Sequence, residues 1–344
     1  MPIRLSYENA DYVFARIHGL WADGVNGPRI AQMTACPTPE ALQHALRPFG
    51  VDAGTRERLF QSLTERECRR LESISLSLGE ENARYYDAFL GRFYFRNLAS
   101  LLKLRFLAAD EFDCDGVLFV CCKGLPEFNR DALLAPRAAA DFAAGIPLYG
   151  DFTREDLSGL LALVAKQPTA LTIDAAVDRL SYRMLLDAAT HAGHGVRRAA
   201  RELVAGEIDV ENLSILMRNV CSYHLPQETL AELLLADGLY LTPKHREQML
   251  ASGDFASLAA VLPEPYHSLA VSAGSPPDLH VFESALWNNL HAACLRRFRD
   301  AANPESSVAA FPYLNHFEAL NIERICEAVY LGLPSREMRD MLVG

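Results

Sequence analysis

FEALNIERICEAV, residues 317–329, has two earlier relatives in the same chain. Around Asn97 the sequence reads YFRNLASLLKLRF, and around Asn212 it reads IDVENLSILMRNV. In each, the Asn is followed at once by Leu98, Leu213 or Ile322. Four positions after it comes Leu101, Leu216 or Ile325. That spacing marks one apolar face of a helix. The asparagines stand 115 and 109 residues apart, a period of about one small domain. The expectation is one helical unit used three times.

Further landmarks repeat without gaps. Leu133, Phe142 and Ile146 overlie Met249, Leu258 and Leu262 at a constant offset of 116, and Met33, Leu42, Leu46 and Phe49 fit the same template 100 residues before Leu133, Phe142, Ile146 and Tyr149. Asp174 and Glu283 each lie 38 residues before an Asn (Asn212 and Asn321) and open a long helix with an acid in the first turn, where the helix dipole favours it. The first copy is the most degenerate, with Tyr94 where the others carry Asp209 and Glu318. These registers divide the chain into units at 1–115, 116–225 and 226–344.

Nearly every break in the pattern is a break between helices. Thr38–Pro39, Thr153 and Thr242–Pro243 read as helix starts. TERE from Thr64 reads as a capping box with Glu67. From there to Ala109 no proline occurs, and Gly79 and Gly91 divide the stretch into two or three long helices. Ile173–Ala192 is a clean amphipathic helix, Phe282–Arg299 another, and Ser335 caps a short final one. A strand reading competes only in EFDCDGVLFVCCKGLPEF (111–128), taken as the connection between the first two units. The fold class is all-α.

The 344 residues are half hydrophobic, enough for a buried core and two or three domains. A formal charge of −11 argues against nucleic acid, whose binders neutralise phosphates with Lys and Arg. No stretch approaches a membrane span and no secretory signal is visible, so a soluble, cytoplasmic protein with reduced thiols is expected. His191 and His194 could share a helix face as metal ligands, but no third ligand is spaced to join them. They read instead as exposed histidines at a helix C-terminus. Asp113–Gly116 opens like a calcium loop without its closing Glu. Cys121 and Cys122 beside Lys123 read as buried small hydrophobes rather than a reactive thiol. There is no P-loop, G-x-S-x-G or H-E-x-x-H. No catalytic residue, cofactor, metal or small-molecule substrate is expected.

The C-terminal sequence, Phe311-Pro312-Tyr313 followed by FEALNIERICEAVYLGLPSREMRDML, resembles the C-subunit family of the V-type and A-type ATPases, whose eukaryotic member is the d subunit. IDAAVDRLSYRMLLDAA, GEIDVENLSILMRN and LLLADGLYL fit the same family in the same order. Glu323, where many bacterial relatives carry a basic residue, and the Cys121–Cys122 pair depart from it. The resemblance implies three helical domains in a pseudo-threefold, funnel-like body. It implies a non-catalytic rotor part of the central stalk, coupling the shaft subunits of D and F type to the proteolipid ring on the cytoplasmic face for ion transport. One rival is a generic α-helical repeat adaptor in another complex. The other is a helical enzyme, which requires convergent carboxylates of raised pKa in an internal cavity. Asn97, Asn212 and Asn321 either bond main chain at tight helix crossings or line the funnel. A polar group inside an apolar stripe needs a buried partner, which favours the first.

Overall fold

A computed structural model describes residues 10–107, 120, 122–135, 139–272, 274 and 278–344, and all the regular structure among them is helical. Six helices reach 20 residues or more, in consecutive pairs. They are α1 (Arg56–Ser75) with α2 (Glu80–Phe106), α3 (Ala170–Thr190) with α4 (His194–Arg218), and α5 (Leu279–Phe298) with α6 (Ser306–Tyr330). The second helix of each pair carries the asparagine. Shorter helices fill the stretches before the pairs, within residues 10–46, 130–166 and 227–272.

Local chemistry starts several helices as the sequence indicates. The Thr38 hydroxyl accepts the N–H of Ala41 and Pro39 fills the first turn. Thr153 and Asp156 bond each other's main chain reciprocally, and Thr242 accepts from His245 beside Pro243. The Thr64–Glu67 capping box does not form. The helix begins nine residues earlier, where Thr55 accepts the N–H of Arg58. Thr64 is therefore mid-helix and turns its hydroxyl back to the carbonyl of Phe60 at 2.7 Å. Gly79 separates α1 from α2, whereas Gly91 lies buried inside α2. His191 ends α3 and His194 begins α4, so the two histidines share no helix face. The last short helix starts at Ser335, with Pro334 in the cap position. The strand candidate at 111–128 lies outside the described residues except for 120 and 122–128, which form no strand. The Asp113–Gly116 loop and Cys121 also lie outside them.

Three apolar clusters show what packs on what. In one, Leu98 and Leu101 of α2 meet Leu133, Phe142 and Ile146. In another, Ile208, Leu213 and Leu216 of α4 share a core with Met249, Leu258 and Leu262. In the third, Ile322 and Ile325 of α6 meet Met33, Leu42 and Leu46 from the beginning of the chain. Each group of short helices thus packs with the asparagine helix of the pair before it, and the first group packs with the last. Fully burying one such aliphatic side chain contributes about 1.5–3 kcal/mol, so each junction is a substantial apolar contact.

α6 sits against α1, α2, α4 and α5 and contains a proline. Pro312 has no N–H, which leaves the carbonyl of Val308 without its helical partner. The hydroxyl of buried Tyr86, on α2, donates to that carbonyl at 2.9 Å, and Tyr85 donates to the next one, Ala309, at 3.2 Å. A helix defect is thereby turned into a contact between α2 and α6.

Candidate functional site

The three asparagines perform one task. Asn97 donates its amide to the carbonyl of Val120 (2.8 Å) and accepts that residue's N–H (2.7 Å). Asn212 holds Leu235 in the same way at 3.0 and 2.7 Å, and Asn321 holds Val343 at 2.8 and 2.9 Å. The side-chain amide copies one rung of a sheet ladder and satisfies both main-chain groups of a buried residue. With 1, 0 and 3 % of their surface exposed, these side chains line no cavity. Of the two readings, main-chain bonding is the one observed.

Three residues before each asparagine, the position departs from copy to copy but keeps its purpose. Asp209 accepts the N–H groups of Tyr240 (2.7 Å) and Leu241 (3.3 Å) and the hydroxyl of Tyr266 (3.1 Å). Burial nevertheless pushes its carboxyl up to about 6, against the opposing pull of those donors. Glu318 accepts the N–H of Val25 at 2.5 Å and pairs with Arg66 (2.5 Å) and Arg70 (2.6 Å) of α1. Tyr94 donates to the carbonyl of Pro147 at 2.7 Å. Gly24 and Gly238 let the two loops approach the acids, since a Cβ would come within 2.6 Å of Glu318 Oε2 and 2.0 Å of Asp209 Oδ1.

Two residues further back, the asparagine helices meet one another. Glu207 of α4, 1 % exposed, accepts both Arg92 guanidinium nitrogens from α2 (2.7 and 3.3 Å) and the Tyr313 hydroxyl from α6 (3.0 Å). Arg92 also lies over the rings of Phe89 and Tyr182. Its guanidinium is held above its ordinary range: burial opposes the charge, but the carboxylate beside it outweighs that. One buried carboxylate therefore ties α2, α4 and α6 together.

Beside this junction opens a cavity of about 1330 Å³. Its walls come from α1, α2, α3, α4 and α6, with Phe60, Phe93 and Tyr182 among the apolar lining. Charges line it too. Lys103 pairs with Asp174 at 2.7 Å, and His316 with Glu67 at 3.0 Å. Among the described residues, Asp178 and Glu211 have no such partner. Asp178 opens onto the cavity, yet protein surrounds it; that crowding first, and the charge of Asp174 second, hold its carboxyl up at about 6. Burial and then the charge of Glu207 raise Glu211 to about 7. Raised carboxylates of this kind are what the enzyme rival requires, so they alone do not choose between that reading and a docking cavity. Among the described residues no group of three His, Cys, Asp or Glu side chains is placed to hold a metal ion. Cys122 is half-buried with its Sγ 2.8 Å from that of buried Cys68, and both are free thiols.

Similarity to known proteins identifies the family and extends over nearly the whole chain. A family model described as ATP synthase (C/AC39) subunit matches residues 13–341. The chain belongs to that family. No curated protein matches it. The C/AC39 family is that of the C and d subunits of V/A-type ATPases, so this chain is part of a rotary ATPase. Among the described residues of this C/AC39 protein, no helix is long and apolar enough to cross a membrane. The asparagines are legible in the sequence, but Glu207, Arg92 and Tyr313 are not, because an acid, a base and a phenol share no repeated letter. The one available signal is position: Arg92 and Glu207 both stand five residues before their asparagines.

Proposed function

We propose that this C/AC39 protein is a non-catalytic rotor part of the central stalk, joining shaft subunits of D and F type to the membrane proteolipid ring. It works on the cytoplasmic face and serves ion transport. The observation that carries this reading is the cavity at the meeting of the three asparagine helices. It is large enough for the end of a helical shaft, and its walls are long helices locked to one another at Glu207. Torque transmission needs a body that does not shear, and close-packed helices meet that need. The units 1–115, 116–225 and 226–344 are then three sectors of a funnel, each sealed by short helices of the next. Surfaces away from the cavity mouth would rest on the ring.

Affinity purification of a tagged full-length chain from detergent-solubilised membranes tests the proposal. Ring and shaft subunits are expected together in the eluate. A folded tagged chain that retains neither would refute it.

A further inference from the structure

The charges of the cavity do not balance, and the imbalance has a direction. Arg92 and Lys103, two of its basic residues, are already neutralised within the protein by Glu207 and Asp174. Arg96 lies over the ring of Phe60 at 4.7 Å and feels the charges of Glu323 and Glu67, and Arg56 also lines the wall, yet the acids of the lining outnumber its Lys and Arg residues. Four lining carboxylates take no cation at ion-pair distance among the described residues: Asp178 of α3, Glu211 of α4, and Glu323 and Glu327 of α6. They come from three different helices, so the excess belongs to the cavity as a whole. Asp178 and Glu327 are exposed on that wall, while Glu211 is half-buried, and burial and the charges of Glu207 and Asp178 add to the cost of ionising it.

We propose that the cavity selects a basic occupant: the shaft end that enters it presents Lys or Arg side chains to Asp178, Glu211, Glu323 and Glu327. Apolar contacts with Phe60, Phe93 and Tyr182 supply adhesion, while the carboxylates decide which shaft is accepted and speed its capture. The two crowded acids are those that gain most from an incoming cation, because a cation removes the repulsion that burial magnifies. This inference rests on the docking of a shaft in the cavity.

The test uses the full-length chain and the purified shaft pair of the same ATPase, with affinity measured at about 50 and about 500 mM NaCl. Four proteins are compared: wild type, Asp178→Asn with Glu211→Gln, Glu323→Gln with Glu327→Gln, and Glu155→Gln with Glu228→Gln outside the cavity. Thermal unfolding checks that each is folded. Each cavity pair is expected to weaken binding about tenfold at low salt and to flatten the salt dependence, with the outside pair within about twofold of wild type. Binding that survives both cavity pairs, or falls equally with the outside pair, overturns the charge-selection proposal while leaving docking intact. Absence of wild-type binding at both salt concentrations overturns the docking reading, and this inference with it.

Discussion

The carboxylate of Glu318 accepts the main-chain N–H of Val25 at 2.5 Å across a sequence separation of 293 residues. The same carboxylate holds Arg66 and Arg70, with Arg66 Nη2 on the oxygen that Val25 uses and Arg70 Nη1 on the other. A residue near the C-terminus therefore anchors the first loop and the first long helix at once. Asp209 does the equivalent for Tyr240 and Leu241, but there the anchored loop follows in sequence.

Glu318→Gln keeps the shape and removes the charge, leaving two arginines in a pocket that excludes water. Breaking a buried ion pair from one side costs about 3–5 kcal/mol, and the two cations here place the loss in that range. Chemical denaturation of the variant is expected to show it. A loss under about 1 kcal/mol would mean that the arginines simply turn outward.

Replacing Asn97 or Asn321 by Leu strands a buried N–H and a buried C=O, whereas at Asn212 only the N–H of Leu235 is stranded, since its carbonyl keeps the guanidinium of Arg246 at 2.8 Å. At about 1–3 kcal/mol for each unsatisfied group, a large drop in melting temperature is expected. Asn321→Leu should lower that temperature more than it weakens attachment to a shaft. An unchanged melting temperature with lost attachment would reassign the residue to the interface.

Tyr86→Phe removes the hydroxyl that meets the carbonyl freed by Pro312. Destabilisation of about 1–3 kcal/mol is expected, the cost of an orphaned buried carbonyl. Placing Ala at 312 in the same variant should restore part of it, since the helical N–H returns. Additive losses in the double variant would dissociate the two residues.

The raised carboxyls give the pH response a sign. Asp178, Asp209 and Glu211 bind protons more tightly folded than unfolded. Their contribution to stability is complete below the unfolded pKa and is lost as pH rises through about 6 to 7. Glu211→Gln should melt above wild type at about pH 8, by on the order of 1 kcal/mol after allowance for cavity water, with the gap closing towards about pH 5. A pH-independent gap would place the effect elsewhere than ionisation.

Much of this fold is legible in the sequence, because the repeat is written in apolar spacing. Met33, Leu133 and Met249 match in sequence and are all buried at 1 to 3 % exposure. Spacing does not say which short helices pack on which long one, since an apolar stripe does not name its partner. The capping box expected at Thr64 fails for a similar reason: Thr and Glu three apart occur inside helices as well as at their starts, and only the earlier Thr55 distinguishes the cases. Of the candidate site, the asparagines are legible through repetition. The Glu207–Arg92–Tyr313 contact is not, since it depends on how three helices face one another in the folded chain.

The closing of the last core by the first helices has a consequence during synthesis. Met33, Leu42 and Leu46 leave the ribosome nearly 300 residues before their apolar partners Ile322 and Ile325 are made. Until those partners emerge, that segment carries an unburied hydrophobic stripe, a feature that chaperones recognise and aggregation exploits. The two later groups wait for nothing, because their partners already exist when they emerge. The core around Leu42 and Leu46 thus closes only after the two later groups have found their places.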